Sequence, residues 1–78
     1  MTTRDLNNHY LRTTGTRDEP RRYPTLVGAQ TALDHLIELQ RERRFNTIRA
    51  ESGKHISTHP DGRSLQIWIE NELGSIVS

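Results

Sequence analysis

Residues 55 to 59 read His-Ile-Ser-Thr-His. Two histidines four apart form a zinc spacing on a helix. This stretch alternates as a strand does, and strand residues four apart lie about 13 Å from one another, too far to share an ion. Cysteine is absent and Asp61 is the one acidic side chain close by, so the sequence predicts no metal. His9 and His35 add no ligand cluster. The glycines are scattered at 15, 28, 53, 62 and 74, without the clustering of a phosphate-cradling loop, so no cofactor is expected. Serine, histidine and aspartate all occur, but no spacing sets them as nucleophile, base and orienting group. A chain of 78 residues is also short for a pocket that excludes water. No catalytic residue is assigned, and a non-enzymatic protein is expected.

The side chains suited to recognition are better placed. In "RSLQIWIEN" (63–71), Leu65, Ile67 and Ile69 point one way, while Gln66, Trp68 and Glu70 point the other. The single tryptophan therefore stands on the polar side of a strand whose apolar side is complete. Tryptophan and arginine dominate binding hot spots, so a protein partner is the first expectation. Its contact set is Phe45, Arg49, His55, Gln66, Trp68 and Glu70. A nucleic acid is the alternative partner, held by aromatic stacking with phosphate neutralisation from Arg21, Arg22, Arg41, Arg43, Arg44 and Arg49. Self-association into a homodimer through the same face, or through the tail, fits the same observations.

These side chains need a scaffold. Thr25 follows Pro24 and suits a helix N-cap. Leu26, Ala29, Leu33, Leu36 and Ile37 recur at helical spacing, with Ala32 and Leu39 widening the stripe. Arg41, Arg43 and Arg44 crowd the far end, where the helix dipole favours cations. A helix is predicted at 26–43. The period then changes to two, giving strands at 45–50, 54–59 and 64–70 separated by "ESG" and "PDG" turns. A three-residue loop at 51–53 sets Ile48 opposite Ile56. A four-residue loop at 60–63 would set Ile56 opposite Ile67 and His55 opposite Trp68. The expected fold is α+β, a two-layer arrangement of one helix on a three-stranded antiparallel sheet. Ile48, Ile56, Thr58, Leu65, Ile67 and Ile69 would then lie beneath the helix. The tail 71–78 fits either a short strand or a helical turn.

Residues 1–24 hold few apolar side chains beyond Leu6, Tyr10, Leu11 and Tyr23. They read as a flexible or loosely ordered arm, leaving 25–78 as a single small domain. One alternative lets Tyr10, Leu11 or Tyr23 fold back over Trp68. Apolar residues make up 31% of the chain, so the core is thin. Eleven basic residues face ten acidic ones, a net charge of +1. This balance disfavours bulk electrostatic attraction to nucleic acid or to anionic lipid. No apolar run reaches the ~18 residues of a membrane span. The first ten residues lack the apolar centre of a secretory signal, so a cytoplasmic location without membrane partners is expected. Small cysteine-free domains of this build often serve as inhibitors or accessory factors, including those of phages and mobile elements; that comparison is one of class alone.

Overall fold

The computed structural model describes residues 8–14 and 20–77. The elements are β1 (His9–Thr13), β2 (Arg21–Tyr23), α1 (Leu26–Glu42), β3 (Asn46–Arg49), β4 (His55–Thr58), β5 (Ser64–Asn71) and β6 (Ile76–Val77). The α+β class holds, but among the described residues the sheet has six strands rather than three. All pairings are antiparallel. The order is β2-β1-β5-β4-β3, with β6 beside the later half of β5.

The helix forms as its sequence dictates. The Thr25 hydroxyl accepts the Gly28 N–H at 3.0 Å and caps the first turn. At the other end the Phe45 N–H donates to the Gln40 carbonyl and the Arg44 N–H to that of Arg41, both at 2.9 Å. This paired closure needs a left-handed residue, and Arg44 supplies it at φ 74°. Helix and sheet enclose Leu11, Ala29, Leu33, Ile67 and Ile69, with Tyr23, Leu26, Leu36, Ile37, Leu65 and Val77 packed around them.

Two expectations are corrected. First, part of the segment read as an arm is sheet: β1 lies between β2 and β5 and contributes Leu11 to the core. Tertiary pairing outweighs the weak local pattern there. Of the two forms that fitted the tail, the strand is the one found: β6 (Ile76–Val77) closes against Ile69 and Glu70.

The second correction concerns register. The first hairpin pairs Ile48 with Ile56 as expected. In the second, the His59 N–H donates to the Arg63 carbonyl at 2.8 Å and the Gly62 N–H to that of His59 at 2.9 Å. The loop is therefore Pro60-Asp61-Gly62, one residue shorter than expected. Thr58 pairs with Ser64, Ile56 with Gln66 and His55 with Ile67. A one-residue slip exchanges the faces of a strand, and here it turns over the whole β3–β4 hairpin relative to β5. Ile48, Ile56 and Thr58 leave the helix side. Thr47, Arg49, His55 and Ser57 take their places there. The fully buried Ser57 hydroxyl is hydrogen-bonded to Thr47, so the exchange leaves no orphaned hydroxyl in the core.

Candidate interface on the open sheet face

One face of the sheet packs on α1. Among the described residues nothing is layered on the other. Period-two alternation and the cross-strand pairs place Tyr10, Arg12, Arg22, Ile48, Ile56, Gln66, Trp68, Glu70 and Ile76 on this open face. Trp68 lies near its middle, opposite Arg12 on β1.

The indole is held in one orientation. Its Nε1–H donates to Glu70 Oε2 at 2.9 Å. The other carboxylate oxygen, Oε1, accepts from Arg12 Nε at 2.9 Å. The Lys54 ammonium sits 4.4 Å from the indole ring centroid, on its π face. Glu70 thus fixes tryptophan and arginine together across two strands. This is possible because Trp68 and Glu70 are two apart on β5 and Arg12 pairs directly with Trp68. An aromatic restrained this way loses little conformational freedom when a partner covers it. Ile48 on the edge strand β3 is 59% exposed, which leaves apolar surface beside the polar centre.

The residues expected to form one contact set divide. Gln66, Trp68 and Glu70 share the open face. Arg49 and His55 are cross-strand partners on the helix side, where they line a small cleft with Asp34. His55 Nδ1 is buried there without a hydrogen-bond partner among the described residues. Phe45 belongs to neither group. It follows the helix end, with its ring 5.0 Å from that of His59 in an edge-on contact and the Arg63 guanidinium 5.6 Å from its centroid. His59 is engaged in its own turn, its Nδ1 accepting the Asp61 N–H at 3.1 Å.

The arginines expected to meet phosphate also separate. Arg22 lies on the open face and Arg21 on the helix side of β2. Arg41 pairs with Glu38 at 3.3 Å, Arg43 and Arg44 close the helix, and Arg49 lies under it. Arg12, Lys54, Ile48, Ile56 and Ile76 join the face without having been expected there. A three-residue loop at Pro60-Asp61-Gly62, like the one read at 51–53, would have brought Ile48 and Ile56 to it. Of the three residues weighed as a cover for Trp68, Tyr10 shares its face, whereas Leu11 and Tyr23 belong to the main core.

No protein-family model, curated protein or solved structure matches this chain. No helix among the described residues is long and apolar enough to cross a membrane.

Proposed function

We propose that this chain is a non-enzymatic binding module, an accessory factor or inhibitor that docks a protein partner on the open face of its sheet. The supporting observation is Trp68, restrained by Glu70 and Lys54 on a face that also presents exposed Ile48. A fixed aromatic centre with aliphatic neighbours and a rim of arginine and lysine matches the make-up of protein-binding hot spots. A nucleic acid is the less favoured partner. The arginines that would neutralise phosphate lie on several surfaces, and the isoleucines beside Trp68 offer a strand of nucleotides nothing to pair with. A second copy of the chain is the special case in which both partners use this face. A cytoplasmic site of action belongs to the same reading and rests on the cysteine-free composition.

The test is affinity capture from the native cells, with and without nuclease, using wild type, Trp68→Ala and Ile48→Ser. A protein retained after nuclease treatment, with affinity lowered at least about 30-fold by Trp68→Ala, supports the reading; that factor corresponds to a hot spot of about 2 kcal/mol. Captured material that vanishes with nuclease, or binding that falls steeply with salt, replaces it with the nucleic-acid reading. Concentration-dependent mass in sedimentation, abolished by the same variants, identifies the partner as a second copy.

A further inference from the structure

A second concave surface lies on the helix side of the sheet, where the C-terminal half of α1 passes over β1 and β2. The edge strand β2 is only three residues long, so little sheet supports the helix there. A cleft of about 640 Å³ remains, within the ~300–1,000 Å³ range of small-molecule sites. Tyr23, Ala32, Leu36 and Leu39 give it apolar walls. Leu39 is 44% exposed although it stands beside the core stripe. Arg21 on the strand wall and Arg43 at the helix end also line the cleft, together with His35. None of its described lining residues is acidic.

A cleft with apolar walls and two guanidinium groups, and no carboxylate among its described lining residues, has a definite complement. We infer that it binds a small amphipathic anion, an aliphatic or aromatic body carrying one carboxylate. The carbon body covers Ala32, Leu36 and Leu39, removing apolar surface from water on both sides. The carboxylate meets Arg21 and Arg43, whose planar donor pairs match its two oxygens. A neutral ligand would leave both cations unused, and a cationic one would be repelled. This site is separate from the Trp68 face and does not depend on the role proposed for it.

The experiment titrates the full chain with octanoate, octan-1-ol and octylammonium below micelle-forming concentrations, following backbone amide shifts by NMR. Octanoate is expected to bind about five- to tenfold more tightly than octanol, as a partly exposed charge-assisted pair allows. Octylammonium should bind most weakly, and the shifts should centre on Ala32, Leu36 and Leu39. Arg21→Gln with Arg43→Gln should remove the preference for octanoate while keeping octanol binding. Leu39→Glu, at a half-exposed position that leaves the core intact, should abolish octanoate binding. Equal affinity for the three ligands, shifts centred on Trp68, or no binding of octanoate at millimolar concentration would each overturn the assignment.

Discussion

Three hairpin loops in this chain share one construction, and replacing their glycines one at a time should give a graded loss of stability. Glu51-Ser52-Gly53, Pro60-Asp61-Gly62 and Glu72-Leu73-Gly74 each end in a left-handed glycine, at φ 95°, 98° and 83°. Each glycine N–H donates to the carbonyl three residues back, at 3.0, 2.9 and 3.0 Å. An alanine in this conformation costs about 1 kcal/mol from the crowding of Cβ against backbone. At Gly62 and Gly74 an added Cβ would meet nothing within 4 Å, so that cost stands alone. At Gly53 it would lie 3.0 Å from Ile76 Cγ2, a methyl on a β-branched side chain with few rotamers to retreat into. Gly53→Ala should therefore cost about 2–3 kcal/mol, combining the conformational cost with a further 1–2 kcal/mol of overpacking. Gly62→Ala and Gly74→Ala should each cost about 1 kcal/mol. Equilibrium urea unfolding of the four proteins measures this through midpoints at constant slope. If Gly62→Ala costs as much as Gly53→Ala, or leaves stability unchanged, the loop assignment and the register derived from it are wrong.

The remaining predictions address the helix end, the core and one carboxylate. Arg44→Gly relieves the left-handed arginine that closes α1 and should stabilise by about 0.5–1 kcal/mol, read as a rise in Tm. Ile67→Ala removes a fully buried side chain and should cost about 2–5 kcal/mol, whereas Ile48→Ala on the open face should cost under about 1 kcal/mol; equal losses would mean that Ile48 lies in the core. The Asp61 carboxyl is held below 3.8, first by the Arg63 backbone N–H donated to it and also by the Arg63 side chain. A depressed native pKa means that this turn's contribution is present above pH 3.8 and fades as the pH falls through the lowered value. Carbon-detected NMR titration of Asp61 should place its midpoint below 3.8, and a midpoint at or above that value would refute the turn geometry.

The helix was legible because capping, apolar stripe and terminal cations agree over a long segment. Its expected end at about 43 lies one residue beyond the observed Glu42, where Arg43 caps the last turn. Trp68 faces away from Ile67 because period-two alternation within one strand needs no knowledge of its neighbours. That is also why Gln66 and Glu70 stay with it. Arg49 and His55 were placed on its face only through the second hairpin, and assigning four residues to that loop instead of three inverted them. The three-residue rule applied at 51–53 fits 60–62 equally well and also fits 72–74, which marks the turn before β6. The first two strands were hidden for a different reason. β1 offers one buried apolar residue, Leu11, among polar ones, and β2 is three residues long. Strands this polar are stabilised by the neighbour they pair with, information that local pattern does not carry. Arg12 reaches Glu70 and Lys54 reaches Trp68 from other parts of the chain, so no sequence spacing connects them to this cluster.

The docking face proposed for Trp68 can be tested in one comparison. Its most direct test compares nuclease-treated captures by wild type, Trp68→Ala and Arg49→Ala, the last altered on the opposite side of the sheet. The bound protein should be lost with Trp68→Ala and kept with Arg49→Ala. Retention of the same protein by Trp68→Ala, or its loss with Arg49→Ala alone, would rule this face out as the docking surface.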